Sequence, residues 1–105
     1  MRLLGLVFFF MLIETAGAVE TATQKRGESL LTKDCARCHA VGRAGTSRHP
    51  QAPPFRTLGT KYPVESLEEA LAEGIISGHP DMPEFQFDAE DVGAIIAYLK
   101  SIQER

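Results

Sequence analysis

The sequence predicts one small all-α domain behind a leader that is removed. Three segments repeat apolar residues at helical spacing, and none alternates apolar and polar residues as a half-buried strand would. A 20-residue connection, Gly42 to Lys61, holds three prolines and three glycines and is too long for a plain loop inside a compact domain. It must wrap around something.

The leader comes first in the chain. Arg2 precedes an apolar run from Leu3 to Ile13, and Glu14-Thr15-Ala16-Gly17-Ala18 follows with small residues at 16 and 18, the pattern of a secretory signal peptide and its cleavage site. A retained membrane span needs about 20 apolar residues, whereas this run would reach only ~16 Å of a hydrocarbon core ~30 Å thick, so stable membrane insertion is not expected. Residues 1–18 are therefore read as a cleaved signal peptide and residues 19–105 as the domain, with a periplasmic destination.

The first helix is expected over roughly Ala22 to Lys33, where Leu30 and Leu31 stand among charged residues. Gly27 lies one turn before Leu31. It is either a tolerated helix defect costing about 1 kcal/mol or a point of close backbone approach. The second helix is expected after Tyr62-Pro63, with Ser66 and Glu69 at capping-box spacing, an apolar stripe of Val64, Leu67, Ala70 and Leu71, and an end near Gly74 to Gly78. The third is the clearest. Asp88 is its natural N-cap, Glu90 and Asp91 suit the positive first turn, and Lys100 and Arg105 lie toward the C-terminal end. Its core face is Val92, Ile95, Ile96, Leu99 and Ile102.

Composition limits the partners. The net charge is −3, and it stays there when the leader takes away Arg2 and Glu14, so nucleic acid is not an expected partner. Nothing in the sequence demands more than a monomer. A domain this small buries a modest fraction of its surface and commonly supplements its core with a disulfide, a metal or a cofactor. Attention therefore falls on Cys35 and Cys38.

Cys35-Ala36-Arg37-Cys38-His39 is the c-type haem attachment pattern, and its spacing has a physical logic. On a helical turn, positions i, i+3 and i+4 share one face, so two thiols can add to the two vinyl groups of one porphyrin while His39 reaches its iron. A structural zinc would want four ligands, and a second Cys-x-x-Cys or a paired His-x₃-His is missing, although His49 and His79 remain as spare ligands. A thioredoxin-like redox pair belongs beside a βαβ pattern, which the sequence lacks. A plain disulfide would leave the long loop with nothing to wrap. Haem accounts for the export, the spacing and the loop together.

The second axial ligand follows from elimination. Met1 and Met11 leave with the leader, so the mature domain holds only Met82, in Gly78-His79-Pro80-Asp81-Met82-Pro83. Prolines on both sides stop the preceding helix and make burial as an ordinary helix-core residue a poor account. His79 is the competing ligand, and otherwise a solvated loop residue. His49, beside Arg48 and Pro50, is expected on the surface.

With these residues in place, the sequence resembles the small class I c-type cytochromes of bacterial respiratory and photosynthetic chains, over nearly all of the mature chain. The resemblance rests on the attachment motif near the mature N-terminus, the Met-Pro loop further on, and the closing Ile95-Ile96-Ala97-Tyr98-Leu99-Lys100 helix. It implies a cytochrome c-like fold, in which three main helices and long loops wrap one covalently bound haem c per chain with His39 and Met82 as axial iron ligands. It also implies that the terminal helices cross closely, with Gly27 and Leu31 facing Ile95 and Tyr98. Pro53-Pro54-Phe55 matches an element whose proline carbonyl orients the haem histidine, which makes Pro53 the carbonyl and Phe55 a haem contact. The larger members place a tryptophan near a propionate. This chain has none, and the role falls by resemblance to Arg56 or Tyr62. The stretch from Gly42 to Pro50 matches no motif of the family.

The function so implied is one-electron transport between larger redox proteins, such as a quinol-cytochrome c reductase, a terminal oxidase or a periplasmic dehydrogenase, rather than enzymatic turnover. The alternatives are a fixed haem-bearing subunit of an oxidoreductase complex, or a gas sensor or enzyme with a labile Met82. Phe55, Phe85 and Phe87 are candidates for the apolar wall. Charge is unevenly spread along the chain. Cys35 to Val64 carries Arg37, Arg43, Arg48, Arg56 and Lys61 and no acidic residue, while the C-terminal part is strongly acidic. A basic face around the attachment side would steer docking to an acidic partner.

Overall fold

The computed structural model describes all residues except 1, 6, 8, 12–18, 76–78 and 105, so the expected cleavage site and Gly78 lie outside the described residues. Among the described residues there is no strand. The order is α1 (Ala22–Asp34), a 3₁₀ turn (Phe55–Thr60), a second 3₁₀ turn (Val64–Leu67) running into α2 (Glu68–Glu73), and α3 (Ala89–Ile102).

Helix α1 starts where Thr21 can cap it. The Thr21 hydroxyl accepts the Gln24 N–H at 3.1 Å and the Gln24 side-chain oxygen accepts the Thr21 N–H at 2.8 Å, a reciprocal box that satisfies two otherwise orphaned donors. Its end is not a clean stop. The Cys35 N–H still donates to Leu31 O at 2.8 Å, and the His39 N–H to Cys35 O at 3.0 Å, so the attachment motif forms one more helical turn beyond α1. Helix α3 begins as its sequence demands, with the Asp88 carboxylate accepting the Asp91 N–H at 2.8 Å.

The segment before α2 departs from expectation. Ser66 caps nothing, because Pro63 starts the turn three residues earlier in extended backbone and Ser66 itself is already within the 3₁₀ turn, its N–H donating to Pro63 O at 3.0 Å. An N-cap needs non-helical backbone, which Ser66 does not have. Starting the turn at Pro63 puts Val64 into the core, 4% exposed, in line with Leu71. Helix α2 ends on Gly74, whose φ of 111° is a left-handed value that favours glycine.

The core lies between α1 and α3 and is completed by the turns. Leu31 from α1 meets Val92, Ile95, Ile96, Leu99 and Ile102 from α3, with Phe55, Leu58, Val64 and Leu71 closing the edges. Among the described residues none of the buried core side chains is charged. Gly27 sits at the closest approach. A Cβ there would stand 2.1 Å from the Ala94 carbonyl oxygen and 2.9 Å from Tyr98 Cβ, so the glycine is required by packing. Its nearest neighbours are thus Ala94 and Tyr98, with Ile95 one position along and wholly buried. No helix among the described residues is long and apolar enough to cross a membrane.

A candidate haem pocket

The long loop does wrap a space. A cavity of about 590 Å³ opens beside the turn that follows α1, lined by Cys35, Cys38, His39, Pro53, Met82 and Phe85 among others, within the ~300–1,000 Å³ range of cofactor sites. The extra helical turn puts both thiols and the imidazole on the side facing this space, as the i, i+3, i+4 spacing requires.

Each wall is held by loop backbone. His39 Nδ1 lies 2.8 Å from the Pro53 carbonyl oxygen. A carbonyl only accepts, so Nδ1 carries the proton and Nε2 is left with the lone pair that a metal ligand needs. Phe55 stands one layer back from the cavity, 8% exposed, its ring stacked on His39 at 4.6 Å. The wrapping loop is fastened by Phe55 N–H to Ala40 O at 3.0 Å and by the Tyr98 hydroxyl to Val41 O at 2.9 Å. On the opposite side, Ile75 N–H donates to Phe85 O at 3.2 Å and Phe87 N–H to Leu71 O at 2.9 Å, which closes the base of the loop that carries Met82. Phe85 faces the cavity, whereas Phe87 packs on the core.

Burial pushes the Cys35 thiol up to about 11, with Asp34 and Cys38 adding to the effect. A redox-active cysteine has its thiolate favoured. Cys35 is the reverse, a neutral thiol against an apolar space.

Some expected residues stand elsewhere. Arg56 and Tyr62 do not line the cavity. The Arg56 guanidinium is occupied by Glu104 at 3.0 Å and by the Gly45 carbonyl at 2.7 Å, because the chain end returns beside the first 3₁₀ turn, and Tyr62 is 37% exposed beyond that turn. His49 is the opposite case. Expected on the surface, it lines the cavity, half-buried, with Nε2 3.1 Å from an Asp81 carboxylate oxygen. His79 and Gln51 join it there. A His-Pro-x tripeptide that occurs twice, at 49–51 and 79–81, was the available signal. Sequence reasoning also missed Gln103, whose amide donates to the Phe55 and Leu99 carbonyls and whose oxygen accepts the Gly59 N–H, tying the end of α3 to the first 3₁₀ turn.

An all-α shell around a pocket fronted by Cys-x-x-Cys-His defines a small c-type cytochrome. The family model described as cytochrome c oxidase, cbb3-type, subunit III matches residues 22–99, and the chain belongs to that family of c-type cytochromes. A cytochrome c-552 of Bradyrhizobium diazoefficiens is 25% identical over 103 residues, covering 98% of this chain and 97% of that protein. No solved structure shows a match. The cofactor is covalent haem c, and the cavity fits it, with two thiols, an imidazole of fixed tautomer and a thioether on its walls. Electron transfer through haem c is the function that goes with the family.

Proposed function

We propose that this chain is an exported shuttle that carries one electron at a time between larger redox proteins outside the cytoplasm. Cys35 and Cys38 would hold haem c through thioethers and His39 and Met82 would ligate its iron, and the bound group would supply the ferric/ferrous couple. The observation that carries this reading is the convergence of those four residues, from two segments far apart in the sequence, on one pocket. The hydrogen bond to Pro53 orients the His39 ring and strengthens it as a donor. Met82 offers a neutral thioether, which favours ferrous iron and raises the potential. If His39 and Met82 both ligate the iron, they would leave no position open to oxygen or substrate, which supports a carrier over an enzyme. Phe85 excludes water directly and Phe55 backs the ligand.

Export is supported by the leader pattern and by the exposure of the leader's described apolar residues. Leu3, Leu4, Val7, Phe9, Phe10 and Met11 are exposed and none joins the core, so residues 1–18 are read as the signal peptide and the periplasm as the destination. Lys33 and Arg37 line the cavity together with Asp34 and Asp81, so the basic excess lies on the wrapping loop, where Arg43 and Arg48 are exposed and could meet an acidic partner surface. A second reading, a fixed subunit of an oxidoreductase complex, is favoured by the family's description as an oxidase subunit.

The decisive experiment is spectroscopic. Acid acetone should leave the colour on the protein, and Cys35→Ala with Cys38→Ala should abolish that. The ferric protein should show the weak far-red sulfur-to-iron band, and Met82→Ala should remove it, lower the potential and admit carbon monoxide to the ferrous form. A wild type without that band would sink the Met82 assignment and promote His79. Reversing Arg43 and Arg48 to glutamate should slow partner association without altering the spectrum, and binding that stays tight at high salt would favour the fixed subunit.

A further inference from the structure

His49-Pro50-Gln51 sits on the wrapping loop and His79-Pro80-Asp81 on the loop that carries Met82. Each histidine folds back on its own tripeptide. His49 Nδ1 accepts the Gln51 N–H at 3.1 Å, and His79 Nδ1 accepts the Asp81 N–H at 3.2 Å. The proline between them has no N–H, so the donor two residues on is the first available. A backbone N–H only donates, so each neutral ring carries its proton on Nε2.

Those two protons cross. His49 Nε2 donates to the Asp81 carboxylate at 3.1 Å, and His79 Nε2 donates to the Gln51 side-chain oxygen. Each turn's histidine is thus bound by the third residue of the other turn, and the two rings meet edge to face, 5.1 Å apart at 87°. Both turns are anchored in the site. The His49 N–H donates to Cys38 O at 3.1 Å, and the Met82 N–H donates to His79 O at 3.1 Å. A continuous hydrogen-bonded path therefore runs from the attachment turn, across the cavity margin, to the residue that would hold the far side of the iron.

His49, His79 and Asp81 also place three potential metal ligands within 4.8 Å of one another. A metal on either Nε2 would force the proton onto that ring's Nδ1, against a backbone N–H that already points there, and would undo that histidine's own turn. The hydrogen-bond roles favour a clasp over a cation site.

We propose that His49 and Gln51 are positioning residues that clasp the Met82 loop to the attachment turn and set how readily Met82 leaves iron. This rests on the reading of Met82 as axial ligand. The step concerned is ligand exchange, in which the iron–sulfur bond breaks and a bond to an incoming neutral donor forms, with no electron or proton transferred.

Imidazole is the probe, added to the ferric holoprotein while the far-red band is followed. His49→Ala and Asp81→Ala should each raise the rate of imidazole entry about tenfold, equivalent to about 1.4 kcal/mol of barrier. The resting band should stay intact in both. Asp81→Asn, which keeps an acceptor for His49, should stay near the wild-type rate, and the double variant His49→Ala/Asp81→Ala should be no faster than either single one. Rates within twofold of wild type, or effects that multiply in the double variant, would overturn the clasp. If His49→Ala does not fold, Asp81→Ala gives the same reading from an exposed side chain. Zinc that slows imidazole entry in the wild type but not in His49→Ala would also overturn it, in favour of a metal site. A wild type without the far-red band would be a different failure, that of the Met82 assignment itself.

Discussion

The α1–α3 crossing and the margin of the haem pocket are held together by different physics. At the crossing, Gly27 lets backbone meet backbone, and apolar side chains from Leu31 to Ile102 fill the space with no charged group among the buried core residues described. At the pocket, His39, His49, His79 and Met82 are placed by directional bonds to loop carbonyls, loop N–H groups and polar side chains, most of them within reach of solvent. Packing is non-directional and its loss is felt as stability. A hydrogen bond at a site margin adds little to stability but fixes where a ligand atom stands. Substitutions in the first region should therefore unfold the protein, and substitutions in the second should change how the haem's ligands are held or exchanged while leaving the fold in place.

The largest test of that contrast is Gly27→Leu. The side chain would enter the Ala94 carbonyl and the Tyr98 Cβ, the helices would have to part, and the loss should be about 3 kcal/mol or more by denaturant unfolding, beyond the ~1–3 usual for overpacking. A cost below about 1 kcal/mol would mean that the crossing is not tightly fixed. Next comes Tyr98→Phe, which spans the two regions. Its ring belongs to the core, whereas its hydroxyl holds Val41 O on the wrapping loop, so losing the oxygen alone should cost about 1 kcal/mol and leave the helices intact. Hydrogen exchange should rise in the wrapping loop and not in α3. Thr21→Ala should cost about 1 kcal/mol through the lost capping box, with faster exchange confined to the first turn of α1 and an unchanged haem spectrum.

The smallest effect concerns pH. Interaction with the Glu20 carboxyl, followed by burial, holds the Glu28 carboxyl above its ordinary value of 4.5, with Lys25 opposing. A raised carboxyl contributes stability below its ordinary value and loses it as pH rises through the folded value. The wild type should thus lose a little stability relative to Glu28→Gln as the pH is taken from about 4 to about 6. Parallel melting curves for the two proteins over that window would remove the Glu20–Glu28 pair from the account.

Much of the fold was legible because helices announce themselves locally. Asp88 as N-cap, the apolar face from Val92 to Ile102 and the shared face of Cys35, Cys38 and His39 all follow from a period of 3.6 residues, and the structure realises each of them. The start of the second helix was misread for an equally local reason. Ser66 and Glu69 have the right spacing for a cap, but Pro63 opens the turn first and denies Ser66 the extended backbone that a cap needs. The resemblance to a family placed Pro53 beside His39, which spacing alone would not have done.

By itself, the sequence determined the helical class and the attachment turn, and it led to the expectation that Met82 faces that turn, since those readings depend on residue type and on neighbours within a turn or two. Only the tertiary structure decided which loop residues would meet. His49 and Asp81 lie far apart along the chain, as do Tyr98 and Val41, and Arg56 and Glu104, and no periodic pattern links them. Their encounters are set by how the wrapping loop closes over α3 and the Met82 loop, a packing solution reached by the whole domain at once. That is why Arg56 turned away from the pocket and His49 turned into it.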